Sequence, residues 1–143
     1  MSEQEQQQNR QQAMQQYQQI QKQMQQIQEY VEQVDQSIEK VQESSEAVKD
    51  LKDIEEGKEI LAPIGAGTYA LAEIKETNKV VTNIGGETFE KRETEEATDI
   101  LTMQKEELKA TKEELQTQLQ ELQEEMQGLQ QQLQQQAMEE KEE

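Results

Sequence analysis

The chain has 143 residues, of which 31% are hydrophobic and 32% charged, with a formal net charge of -18. Too few residues are apolar to fill the core of a compact globule of this length, which leaves disorder or an extended form whose narrow apolar seam needs few residues. The acidity argues against nucleic acid and anionic membrane surfaces as partners, and a chain with neither Cys nor His has no disulfide, Cys/His zinc site or His-based catalysis.

The opening "MSEQEQQQNR" is polar and has no signal-peptide apolar region, and no run approaches the roughly 20 residues of a membrane span. A cytoplasmic protein is expected. From Ala13, steps alternating between four and three residues meet Tyr17, Ile20, Met24, Ile27, Val31, Val34, Ile38, Val41, Ser45 and Val48. Only Ser45 in this series is polar, and heptads sustained over this distance predict a coiled-coil helix over 5–56. The register drifts near Leu51 and Ile54, and Gly57 is the expected stop.

The stretch 57–93 holds the only proline and every glycine but Gly128. "EILAPI", "TYALAEI", "VVTNI" and "ETFEKR" read as short strands. "IGAG" and the Gly85-Gly86 pair supply the turns, and Asn78 in "KETNK" is available for a positive φ. Two successive β-hairpins result. Tyr69 and Leu71 point one way and Ala70, Ala72 and Ile74 the other. Two hairpins and two thin helices cannot cover Ile60, Leu61, Ile64, Tyr69, Leu71, Ile74, Val80, Val81, Ile84 and Phe89. These residues are expected to form a subunit interface in which hairpins from several chains close one another's edges.

The second arm, 94–140, opens at Thr94 as helix cap, with Glu95, Glu96 and Asp99 where the helix dipole favours negative charge. Leu101, Leu108, Leu115, Leu122 and Leu129 recur every seven residues, with Thr98, Lys105, Lys112, Leu119, Met126 and Leu133 between them. The two lysines weaken the seam, and polar seam residues commonly fix register. Each arm is roughly 45–50 residues, or about 70 Å. Equal arms about a Pro/Gly-rich reversal predict a single domain over 1–143. Its fold class is α+β, mainly α: a long antiparallel coiled-coil hairpin with two short β-hairpins at the reversal.

Gly65, Gly67 and Ala70 match G-x-G-x-x-A, but an alternating strand pattern follows and not a helix, so they read as a turn and not a dinucleotide site. The acidic group Asp50, Asp53, Glu55 and Glu56 lacks calcium-loop spacing. No catalytic, cofactor or metal residue stands out, and no enzyme is expected.

With the arms in place, "LAPIGAGTYALAEI" and "KVVTNIGGE" resemble the central segment of the archaeal prefoldin alpha-subunit family, and the likeness extends over the whole chain. Two hairpins favour the alpha over the beta type. The resemblance implies an ATP-independent chaperone subunit in a hexamer of two alpha and four beta subunits. Its hairpins would form paired β-barrels, and its coiled coils would hold non-native proteins at their tips for delivery to a group II chaperonin. A structural coiled-coil scaffold or tether for one defined partner is the alternative.

The tips bear on that choice. Lys22 is the only charge between Arg10 and Glu29, and none lies from Gln127 to Ala137. In an antiparallel pair these stretches meet at the distal end. Met14, Tyr17, Ile20, Met24, Leu129, Leu133 and Met138 are the candidate client-binding residues there, with Met14 and Met138 lying off the seam. Methionine is adaptable and suits promiscuous contact, although the seam residues among the seven also serve to zip the helices.

Overall fold

A computed structural model describes residues 2–142, with side chains described for 2–139. In chain order it contains helix α1 (Glu3–Leu51), strands β1 (Glu59–Gly65), β2 (Thr68–Glu73), β3 (Lys79–Gly85) and β4 (Thr88–Glu93), and helix α2 (Thr94–Glu142). The chain divides into two compact units, Met1–Gln36 with Lys109–Glu143, and Ser37–Leu108.

The first unit is an antiparallel pair of helices. Ser2 caps α1, its Oγ accepting the Glu5 N–H at 3.4 Å and relieving one of the donors that a helix start leaves unpaired. Every seam position read from the heptads in this unit is buried or half-buried, with Ala13 and Val34 each 5% exposed. The half-buried stripe continues back to Arg10 and Gln6 on α1 and on to Ala137 on α2. Two cross-helix bonds fix the register. Gln130 Nε2 donates to the Tyr17 hydroxyl at 3.2 Å, and the Lys112 Nζ lies 2.7 Å from Asp35 Oδ1. Moving from Tyr17 to Asp35 moves the partner back by the same number of residues, from Gln130 to Lys112, as an unbroken antiparallel register requires. The ion pair is half-exposed, so it contributes under about 1 kcal/mol.

In the second unit the seam lysine Lys105 donates to Gln42 Oε1, and the Gln42 amide in turn donates to Glu46 Oε1 at 3.1 Å. A polar seam residue is therefore satisfied without breaking the helices. Helix α1 ends at Leu51, earlier than the drift in register indicates, and Gly57 is not its cap. After Leu51 the backbone tightens into three-residue bonds, from the N–H groups of Lys52, Asp53 and Ile54 to the carbonyls of Lys49, Asp50 and Leu51. Gly57, at φ 85°, instead starts the sheet, donating its N–H to the Ile74 carbonyl at 2.7 Å.

Strands β1 and β2 form one antiparallel hairpin, and β3 and β4 a second, separate one. The two turns share one geometry. Gly65 pairs with Thr68 and Gly85 with Thr88, each after a register shift that leaves Ile64 or Ile84 bulged. The central residues are Ala66-Gly67 and Gly86-Glu87, all at positive φ between 49° and 73°, the mirror-image turn that suits strand twist. The second turn is thus centred one residue later than the Gly85-Gly86 pair indicates, because Gly85, at φ 117°, serves the bulge. Asn78 has no positive φ. It belongs to an extended link between hairpins, and its carbonyl accepts the Thr94 N–H at 3.0 Å as β4 passes directly into α2.

Gly128 lies inside α2 with nothing within 4 Å of an added Cβ. Gly128→Ala should therefore raise the unfolding free energy by about 1 kcal/mol, read as a higher midpoint in thermal or urea unfolding followed by circular dichroism.

Candidate functional site

The two hairpins present an apolar face that their own chain leaves uncovered. On the first, cross-strand partners Leu61 and Leu71 are 63% and 72% exposed, and Tyr69, opposite Pro63, is exposed beside them. Ile64 and Ile60 are exposed too, whereas Ala62, Ala70, Ala72 and Ile74 are half-buried. Half-buried Ala62, Ala70, Ala72 and Ile74 alternate with exposed Leu61, Tyr69 and Leu71, whereas Ile60 is exposed although it pairs with Ala72, and Ile64 lies in the bulge. On the second hairpin Val81, Ile84 and Phe89 are exposed, while Val80 and Arg92, paired across the strands, turn toward the helices of the same unit. There they line an open groove of about 790 Å³ with Ala47, Val48, Ala97 and Leu101. The expected interface residues thus separate into eight exposed side chains and two, Ile74 and Val80, that are half-buried within the unit.

Glu76 lies in the link between hairpins. Both of its carboxylate oxygens lie within 3.1 Å of the Lys91 Nζ. That hydrogen bond holds the Glu76 carboxyl below the usual carboxylate range against an opposing desolvation effect, with the charges of Lys91, Lys79 and Lys75 assisting. Lys91 stands opposite Val81, so the pair ties the link to the second hairpin.

At the free end of the first unit the seven tip residues fall into separate places. Met14, Tyr17 and Leu133 line one groove of about 500 Å³ with Gln18, Gln21, Gln130 and Gln134. Met24 lines a second with Met126, and Ile20 and Leu129 line a third. Met138 lines none of these and is 70% exposed; Met14 is half-exposed. The reading of the sequence missed Met126 and the glutamines as groove walls. The positions of Gln21, Gln28 and Gln130, three or four residues from the seam methionines Met24 and Met126, were the available signal. It also missed the repeat "IGAGT" and "IGGET", which gives both hairpins their turn.

The G-x-G-x-x-A spacing lies within a hairpin, with Gly65 and Gly67 in its turn and Ala70 in β2. Among the described residues no cluster of three or more His, Cys, Asp or Glu is placed to hold a metal, and no helix is long and apolar enough to cross a membrane.

These features define an assembly subunit that pairs helices into a coiled coil and displays two hairpins with uncovered apolar faces. The sequence matches the family described as prefoldin subunit over residues 20–139, so the chain belongs to the prefoldin family. The fold is similar to that of a filamentous PFD from Methanocaldococcus jannaschii solved by cryo-EM. The TM-score is 0.70 at 24% identity, covering 77% of this chain and 91% of the other. No curated protein matches the chain. Prefoldin is known as a chaperone family, and membership implies chaperone-type function and hetero-oligomeric assembly with other prefoldin subunits.

The Glu76–Lys91 pair gives a pH-dependent contribution to hairpin order. A carboxyl depressed in the fold contributes stability above its unfolded value, and that stability is lost as the pH falls through the lower folded value. The Glu76 side-chain carbon should titrate at lower pH than an unstructured glutamate, and Lys91→Met should move its midpoint upward, measured by NMR.

Proposed function

We propose that the chain is an alpha-type prefoldin subunit in a hexamer of two alpha and four beta subunits. It holds non-native proteins at its coiled-coil tips and passes them, without ATP, to a group II chaperonin in the cytosol. The two hairpins favour the alpha type. The observation that carries the holding role is the nearly uncharged stretch of the first unit, where Met14 stands half-exposed in a groove walled by glutamines and Leu133, with Met138 exposed just beyond that stretch. A client segment docking there meets few charges that must be desolvated, whereas one docking on the acidic remainder meets many. The exposed hairpin residues Ile60, Leu61, Ile64, Tyr69, Leu71, Val81, Ile84 and Phe89, with Ile74 and Val80 behind them, are the seat of the other subunits.

Met14→Asp with Met138→Asp leaves the seam untouched, since both residues are off it. The assembled variant should need about tenfold more protein to suppress light scattering by a refolding model client, because weak contacts at several arms multiply through effective concentration. Equal protection would overturn the tip reading and favour a scaffold for one defined partner.

Leu61→Asp with Val81→Asp changes side chains that are mostly exposed in the lone chain. Helical content by circular dichroism should stay the same while sedimentation shows the chain released from its assembly. An unchanged oligomer would contradict the hairpin interface.

A further inference from the structure

We infer that the tip recognises the exposed main chain of an extended, non-native client segment, through glutamine amides that flank the apolar side chains. The inference rests on the tip reading above and specifies its chemistry. Gln18 and Gln21 belong to two grooves, the one containing Met14 and Leu133 and the one containing Met24 and Met126. Sharing these walls makes the grooves one continuous strip on one side of the helix pair. From Met14 to Gln28 the strip is about 21 Å long, the span of about six residues of extended chain.

Its polar lining is almost entirely primary amide. Gln18, Gln21, Gln25 and Gln28 follow one another at alternating steps of three and four on α1; Gln130 and Gln134 from α2 line the groove of the first two, and Met126 that of the last two. Lys22 is the one charged residue lining it. Each amide offers donors and an acceptor, and every non-proline residue of an extended chain offers one of each. Amide and peptide are therefore complementary whatever the client's sequence. Gln130 already bonds across the groove, donating to Tyr17 at 3.2 Å, which shows that the amides reach over the apolar floor.

The match also separates non-native from native partners. A helix satisfies its own main chain, and a sheet strand is satisfied by its neighbours. Neither offers the amides a partner, whereas an unfolded segment has every peptide group free. Exchanging amide–water for amide–peptide bonds is nearly balanced, so binding stays weak and reversible at each arm. Met14, Tyr17, Met24 and Leu133 supply the apolar contact between the amides.

The test uses the assembled full-length chain. One probe is a fluorescent, neutral, apolar twelve-residue peptide. The other is the same peptide N-methylated at alternate residues, which keeps the side chains and removes main-chain donors. Wild-type assembly should bind the parent about tenfold more tightly. Gln18→Met, Gln21→Met, Gln130→Met and Gln134→Met together keep side-chain length and helix preference and remove the amides. In that variant the ratio should fall to about two or below, whatever happens to the absolute affinity. The Gln→Ala set gives the same comparison if the methionine set aggregates. A ratio near one in wild type, or an equal ratio in wild type and variant, overturns the inference. If Met14→Asp with Met138→Asp nevertheless abolishes binding, the tip reading stands. Binding of neither peptide, or binding indifferent to every tip substitution, overturns both. Tighter binding of a helix-stapled copy of the peptide, or concentration-dependent tip-to-tip association that the glutamine variants abolish, assigns the strip to another occupant and overturns the inference.

Discussion

Two helices lying side by side bury one stripe each and nothing more. Across the described residues only Ala13, Val34, Thr94 and Ala97 are buried, and no large side chain is fully enclosed. Each leucine of the seam keeps an edge in water, so the heptads contribute less per residue than a globular core would. Within each unit the chain compensates by repeating the contact at successive heptads. The same geometry leaves the hairpins without a layer to pack on. Leu61, Leu71, Val81 and Phe89 would each gain about 1.5–3 kcal/mol from full cover, and a two-stranded hairpin alone is marginal. Assembly with other subunits therefore follows from the shortage of apolar residues as directly as the coiled coil does.

Charge is arranged to guard the register that the seam fixes only loosely. A leucine repeat tolerates slippage by a heptad, because one leucine replaces another. Lys112 opposite Asp35 and Lys105 opposite Gln42 oppose it in one direction. A slip of one heptad that way sets Lys105 against Lys49, ammonium against ammonium, whereas the opposite slip sets Lys105 against Asp35 and Lys112 against Gln28 and leaves both lysines an acceptor. The charges therefore bias the register in one sense, and the rest of the seam must fix the other. Toward the free end no such pairs are needed. There the walls are mostly glutamine, neutral but still well hydrated, and Leu129 and Leu133 keep their places beside the methionines.

What the sequence made legible and what it hid follow from the same physics. The heptads were legible because burial at every seam position depends on side-chain spacing alone, and the arms pair as that spacing requires. Both hairpins could be read from strand alternation and glycine, and the separation of Tyr69 and Leu71 from Ala70, Ala72 and Ile74 followed from the period of two. The helix end was hidden, because Leu51 and Ile54 continue an apolar pattern while backbone bonding has already tightened to three-residue steps. The exact turn was hidden too. A Gly-Gly pair satisfies the mirror-image turn at either of two positions, and only the bulge at Ile84 selects the later one. At the tips, a glutamine-rich stretch looks like bland solvated surface in one dimension. Its grooves exist only once α1 and α2 are brought together in register.

The shared turn shows how one backbone device can serve two different faces. "IGAGT" and "IGGET" impose the same bulge and the same central torsions, so the hairpins are alike in backbone and differ in what they display. Beside its turn the first sets Pro63 against Tyr69. The second sets Asn83 against Phe89, with the Asn83 Oδ1 accepting the Gly85 N–H at 2.9 Å to brace the bulge. Two pairs further on, Leu61 faces Leu71 in the first, while Val81 faces Lys91 in the second, and Lys91 is held by Glu76. An all-apolar face is indifferent to the charge of what covers it. A face carrying an ammonium group favours a partner that supplies an acceptor and disfavours one that supplies another cation. Equal turns with unequal faces thus let two hairpins of one chain accept different neighbours, with the discrimination carried by side chains and the common geometry carried by glycine.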